Sequence, residues 1–231
     1  MPITERVIVP TKNELPTASA PRIAAVIRSA VADRGLCHIA LAGGNTPRAV
    51  HGELARIPDL PWQNVRFYFG DERCVPPSDP DSNYLMAAES LFAPLSIPDS
   101  HVNRMEADAD DLDNAAARYA DCLPERFDLV MLGMGPDGHT ASLFPGFPAL
   151  EDTRKCVVVA DSPKPPSLRL SLTPRTIRAA REIFVLVYGA DKAPMVREAL
   201  DGEFDLGAVP VQVARGGTWF LDEASASLLT A

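Results

Sequence analysis

Asp137 and His139 stand two residues apart in GMGPDGHTASLFPG (133–146), a glycine-rich turn that follows the apolar run FDLVMLGM (127–134). An imidazole titrates close to neutral pH, so a loop histidine can take a proton from water. A neighbouring carboxylate can orient the ring and stabilise its charged form. A surface histidine beside a turn-forming Asp-Gly would show the same letters. The paired glycines and the position after a buried strand favour the general-base reading. His38, His51 and His101 have no such setting and read as structural or exposed.

Other stretches carry polar chemistry. In AGGNTPR, Gly43 and Gly44 allow a tight turn with exposed backbone N–H groups, followed by Asn45, Thr46 as a helix N-cap and Pro47 as the first helical residue. A helix N-terminus after glycines favours an anion such as phosphate, through free N–H groups and its dipole. An ordinary strand-to-helix turn uses the same residues, and the loop is neither a Walker loop nor GxGxxG, so both readings stay open here. FGDER puts Asp71, Glu72 and Arg73 in a loop directly after a strand, where they could position substrate hydroxyls; alone, the triplet reads as a solvated turn. Asp79, Asp81 and Asn83 lack the downstream Glu of a calcium loop, and a helix cap at Asp81 or Ser82 accounts for them better. In SPKPPSLRLSLTP (162–174), Lys164 and Arg169 could close over a phosphate or belong to a solvated basic loop. Lys192 opens a helix, where a cation opposes the macrodipole and hints at a nearby anion.

These residues need elements to hold them, and the chain alternates apolar strands with amphipathic helices. A first strand is followed by helical periodicity at Ile23, Val26, Ile27, Ala30 and Val31, with Gly35 as the cap. Strands are expected at 38–42, 65–69, 127–134 and 182–189, with helices after 45, over 82–92, around 112–123 and over 191–201. VPVQVA (209–214) and TWFL (218–221) complete the chain, and the closely spaced strands within 156–173 suggest a local antiparallel addition. The pattern predicts one α/β domain over 1–231, with a mostly parallel Rossmann-like sheet, helices on both faces and a small antiparallel addition. In such sheets ligands bind beyond the carboxyl ends of the strands. The AGGNTPR, FGDER and GMGPDGHT stretches all lie there.

Composition narrows the functions. With 46% apolar and 23% charged residues, the 231-residue chain has the balance of a soluble globular protein. The N-terminal stretch carries charges where an export signal needs an apolar core, and no run approaches the roughly 18 to 20 apolar residues of a membrane span. Four scattered cysteines without metal-ligand spacing fit a reduced cytoplasmic protein. A net charge of −9 argues against nucleic acid as partner, while a local cluster of cations and N–H groups can still hold one phosphate.

LAGGNTP, FGDERCVPPSDPDSNY, FDLVMLGMGPDGHTASLFPG, KPPSLRLSLTP and GADKAPMVREAL together resemble the glucosamine-6-phosphate isomerase/6-phosphogluconolactonase family, on its lactonase side. The blocks run in order from about residue 38 to 220; the serine usual in the glycine loop is Asn45 here, which leaves the backbone donors in place. The resemblance implies the α/β fold and hydrolysis of 6-phospho-D-glucono-1,5-lactone in the oxidative pentose phosphate pathway, without a metal or other cofactor. It implies His139 as the base that activates water, with Asp137 beside it. It places Gly43, Gly44, Asn45 and Thr46 around the phosphate with Arg169, Lys164 and Lys192, and Asp71 and Arg73 at the sugar end. The expected partner is a small phosphosugar lactone, and the expected state a monomer or weak homo-oligomer.

Two rivals remain. Amino-sugar phosphate deamination, the sister activity, resembles this pattern but uses an acid after the DGH motif, where this chain has ASLFPG and no carboxylate until Glu151. A non-catalytic sugar-phosphate sensor would need a DNA-binding segment, and a strand plus one helix before residue 38 is too little for one.

Overall fold

The computed structural model describes residues 4–230; residues 1–3, at the head of the stretch read for an export signal, and residue 231 lie outside the described residues. In chain order, β1 (Glu5–Val9) and α1 (Leu15–Arg34) lead to β2 (Cys37–Leu41), α2 (Asn45–Leu54), β3 (Val65–Phe69) and β4 (Asp71–Arg73). Next come α3 (Asn83–Ala87), α4 (Leu112–Cys122), β5 (Leu129–Gly133), β6 (Cys156–Val159), β7 (Arg169–Leu172) and α5 (Pro174–Arg178). β8 (Glu182–Val187), α6 (Ala193–Asp201), β9 (Thr218–Asp222) and α7 (Glu223–Ala226) finish the chain.

VRFYF and LVMLG are apolar at nearly every position, the pattern of strands covered on both faces. They belong to a six-stranded, wholly parallel sheet ordered β1-β9-β8-β5-β2-β3. Trp219, Phe67, Phe69, Phe127, Phe144 and Phe220 are its largest fully buried side chains, and burial of such a group is worth roughly 1.5–3 kcal/mol. Gly35 ends α1 at φ 77°, as its sequence position predicts, and Ser82 caps α3 by accepting from the Leu85 N–H at 3.2 Å. Among the described residues no helix is long and apolar enough to cross a membrane.

The strand order contains a switch point. From β1 to β2 to β3 the chain moves in one direction across the sheet; from β3 to β5, β8 and β9 it moves in the other. Right-handed crossovers therefore send the connections leaving β2 and β5, which are adjacent, to opposite faces. A crevice opens above their carboxyl ends, where the glycine loop of β2 and the Asp-His turn of β5 emerge.

The antiparallel addition is a three-stranded sheet ordered β4-β7-β6. Asp71, Glu72 and Arg73, expected in a loop, form its edge strand, with Asp71 opposite Ser171 and Arg73 opposite Arg169. Gly70 makes the transition between sheets: its N–H donates to Leu41 O at 2.9 Å and its carbonyl accepts from Leu172 N at 2.8 Å. A second difference lies at α2. Gly44, not Thr46, holds the N-cap position, at φ 102° and ψ 178°, a conformation that favours glycine, so the helix starts two residues sooner, at Asn45 rather than Pro47.

Candidate active site

The turn after β5 folds back on itself. Gly135 N–H donates to His139 O at 2.9 Å, Gly138 N–H donates to Gly135 O at 3.1 Å, and Thr140 Oγ1 donates to Gly133 O at 2.8 Å. His139 Nδ1 lies 2.5 Å from Asp137 Oδ1. An ionised carboxylate only accepts, so Nδ1 carries the proton and Nε2 is the basic nitrogen. The Phe144 ring packs against the imidazole, with centroids 4.6 Å apart. Burial pushes the His139 pKa below the usual imidazole value, and the lysine charge of Lys164 adds to this, while Asp137 opposes it. Burial works to raise the Asp137 carboxyl, but the His139 hydrogen bond and charge, with Lys164, bring it below the usual carboxylate range. The pair therefore rests as neutral imidazole and carboxylate at neutral pH, the protonation state a general base requires.

A cavity of about 450 Å³ opens in front of this pair, above β2 and β5. Its walls include Gly43, Gly44, Asn45, Thr46, Asp71, Arg73, His139, Lys164, Arg169 and Lys192. Asp137 is set back from these walls and reaches the cavity through His139.

On the β4 side, Asp71 is buried and held by two side-chain donors through three hydrogen bonds. Ser142 Oγ donates to Oδ2 at 2.6 Å, and Asn83 Nδ2 donates to the Asp71 carbonyl at 2.8 Å and to Oδ1 at 3.2 Å. Glu72 turns away from the cavity. It accepts from the backbone N–H groups of Arg73, Asn83 and Tyr84 at 2.7–2.8 Å and from Ser82 Oγ at 3.1 Å, which fastens the 73–84 segment to β4. Arg73 donates to Asp81 O at 2.5 Å, and its buried Nε has no partner among the described residues.

Arg169, expected to face a phosphate, uses most of its donors on the loop before it. Nε donates to Pro166 O at 3.0 Å, Nη2 to Lys164 O at 3.0 Å and Pro165 O at 3.4 Å, and Nη1 to Ser142 Oγ at 3.4 Å. Lys164 stands against the Asp137–His139 pair, with Nζ 3.4 Å from His139 Nδ1 and 3.8 Å from Asp137 Oδ1.

The start of α2, which also lines the cavity, has no side-chain cap among the described residues, so the first N–H groups of the helix are left without a side-chain acceptor there. Gly43 is required there for space. A Cβ at this position would fall 1.9 Å from Asn83 Oδ1. From β8, Lys192 lines the same cavity beside Asp191, at an Nζ–Oδ2 distance of 3.6 Å. Among the described residues, no group of three or more His, Cys, Asp or Glu side chains is placed to hold a metal ion.

Asn83 and Ser142 are wall and support residues that sequence reasoning did not single out for this site. In the sequence Asn83, with Asp79 and Asp81, reads better as part of a helix start than as a calcium ligand, and no local signal reveals that its amide turns back to Asp71.

Residues 10–221 match the sequence model of the family described as glucosamine-6-phosphate isomerases/6-phosphogluconolactonase. The 6-phosphogluconolactonase of Streptomyces coelicolor is 38% identical, with 98% of this chain and 95% of that protein aligned. The structure of the 6-phosphogluconolactonase from Trypanosoma brucei superposes with a TM-score of 0.85 at 31% identity, covering 100% of both chains. A monomeric glucosamine-6-phosphate deaminase superposes equally well, TM-score 0.85, but at 24% identity it speaks for the fold alone. The chain belongs to the glucosamine-6-phosphate isomerase/6-phosphogluconolactonase family.

Proposed function

We propose that the chain hydrolyses 6-phospho-D-glucono-1,5-lactone to 6-phospho-D-gluconate, a step of the oxidative pentose phosphate pathway. The observation that carries this reading is the neutral His139, oriented by Asp137 at 2.5 Å, lining the same cavity as an uncapped helix N-terminus. The matching lactonases named above support it.

In this mechanism water loses a proton to Nε2 of His139 as its oxygen attacks C1 of the lactone. The C1=O electron pair moves onto the carbonyl oxygen. Collapse of that oxyanion breaks the bond from C1 to the ring oxygen, which takes the proton back from the imidazolium. Asp137 holds the ring in the productive tautomer and stabilises its charged form. The phosphate docks on the N–H groups of Asn45 and Thr46 after Gly43 and Gly44, with Lys192 completing the charge. Arg73, with its unpartnered Nε, and the fixed carboxylate of Asp71 hold the sugar hydroxyls.

The deaminase reading lacks its acid. Glu151, the first carboxylate after His139, is exposed and lies outside the cavity walls. We place the reaction in the cytoplasm: Cys37, Cys74, Cys122 and Cys156 are all free thiols, which suits a reducing compartment. The enzyme then works on a small-molecule partner alone, as a monomer or weak homo-oligomer.

The test is a coupled assay on freshly generated 6-phosphogluconolactone, read against its spontaneous hydrolysis. The reading requires acceleration well above that background and a far poorer rate on unphosphorylated glucono-1,5-lactone. Turnover of glucosamine 6-phosphate without lactone hydrolysis would overturn it.

A further inference from the structure

We propose that Lys164 is the electrophilic partner of the reaction: its ammonium receives the negative charge that forms on the lactone carbonyl oxygen, and it is not the phosphate ligand. The inference rests on the lactonase reading above.

The argument starts from the proton on His139. Because Nδ1 gives its hydrogen to Asp137, the 3.4 Å approach of Lys164 Nζ to that nitrogen is no hydrogen bond; two donors face each other. Asp137 Oδ1 is 3.8 Å from Nζ, an ion pair rather than a hydrogen bond. Among the described residues, then, the three N–H groups of Lys164 have no acceptor in hydrogen-bond range, and the side chain lines the cavity. The ammonium, balanced by the Asp137 carboxylate at 3.8 Å, keeps its N–H donors uncommitted beside the base. It becomes useful once an anion forms within reach of the same base.

The surrounding structure holds it there. Three carbonyls in succession, of Lys164, Pro165 and Pro166, accept from the Arg169 guanidinium, which is itself buried on β7. Ser162 Oγ closes the other side, accepting from Lys164 N–H at 3.3 Å and donating to Lys164 O at 3.1 Å. Lys164 is thus an ammonium on a clamped backbone, and Arg169 is a positioning residue that acts through it.

The location fits one end of the substrate only. The phosphate is carried on C6 and the reacting carbonyl is C1, so a single cation does not serve both. A phosphate dianion at Lys164 would sit against His139 and favour the imidazolium, removing the base. Lys192, on the loop after β8, lines the same cavity as the start of α2 and forms no hydrogen bond or ion pair with His139 among the described residues. At Lys164 the same charge works in favour of catalysis twice. It adds to the burial that lowers the imidazole pKa in the resting enzyme and offers preorganised donors to the oxyanion as it forms.

The step balances without a further reactant. Water's proton goes to Nε2, the C1=O pair becomes the oxyanion beside Nζ, and its return expels the ring oxygen, which is protonated by the imidazolium. Lys164 stays protonated throughout.

Lys164→Met and Lys192→Met decide the matter, with 6-phosphogluconolactone as substrate and orthophosphate as the competitive probe of the phosphate subsite. Lys164→Met is expected to lower kcat by roughly 10²-fold, the loss typical of one oxyanion donor, and to leave the orthophosphate inhibition constant within about twofold. The acid limb of kcat/KM should move to higher pH in this variant, and Lys164→Arg should recover part of the lost kcat. Lys192→Met should instead weaken orthophosphate inhibition and raise KM. The proposal is overturned if Lys164→Met keeps its kcat, whether or not orthophosphate binding weakens, or if its acid limb does not move. A wild-type enzyme that hydrolyses neither lactone refutes the lactonase reading itself, a separate outcome from these.

Discussion

The backbone of Gly135 lies directly beneath the imidazole of His139. A Cβ on residue 135 would fall 2.0 Å from His139 Nδ1, 2.1 Å from Cε1 and 2.5 Å from Asp137 Oδ1. Contacts that short do not occur, so the Asp-His pair exists in this geometry only because residue 135 has no side chain. Gly135→Ala should therefore displace the ring and remove general-base catalysis, lowering kcat by about 10²- to 10⁴-fold while the far-UV spectrum stays unchanged. Near-normal kcat in a folded Gly135→Ala enzyme would show that the pair tolerates displacement.

The second glycine argument has a built-in rescue. Gly43 leaves room for Asn83, whose amide carries Asp71, so Gly43→Ala should be severe alone and milder in an Asn83→Gly background. A double-mutant cycle on kcat/KM measures this. Strict additivity would mean the two residues do not share the space.

The pH profile follows from the direction of the His139 shift. Its pKa is lowered, chiefly by burial, so the neutral base is formed at lower pH than in a free imidazole. As pH rises, kcat/KM should climb along a limb centred below the usual 6.5 and then level off. That limb should be absent from His139→Asn; its survival there would assign the titration to another group.

A separate pH effect belongs to stability. His51, fully buried on α2, donates from Nδ1 to Ser90 Oγ at 2.9 Å, because the Ser90 hydroxyl proton goes to Met86 O at 2.6 Å. Its Nε2 has no partner among the described residues, and burial pushes the pKa down from 6.5 to about 4. Between those values the unfolded chain binds the proton and the folded one does not. The contribution is complete above pH 6.5 and is lost as pH falls toward 4, on the order of 3 kcal/mol in all. Urea unfolding at several pH values should show a shallower acid dependence in His51→Leu than in the wild type, and equal slopes would refute the assignment.

The sheet and the placing of the site were legible because parallel strands covered on both faces write themselves as apolar runs, and because each is followed by a glycine or polar loop. CHIAL, VRFYF, LVMLG and EIFVLV all became strands of one sheet, and the loops after them meet at the switch point. What stayed hidden depends on contacts between distant segments. DER looks like a turn until β7 arrives almost a hundred residues later to pair with it. Arg169 reads as a free cation because nothing local says that three carbonyls of the preceding loop will engage it. Gly43 suggested backbone freedom, whereas in the structure it leaves space for a side chain forty residues away.

The central claim is that His139 activates the attacking water, and kcat of the His139→Asn enzyme on 6-phosphogluconolactone, corrected for spontaneous hydrolysis, tests it most directly. The account predicts a fall of roughly 10²- to 10⁴-fold in a protein with unchanged thermal stability, and a smaller fall for Asp137→Asn, which only orients the ring. A kcat close to wild type in His139→Asn would contradict it, leaving the histidine as a turn residue and Asp71 as the next base to examine.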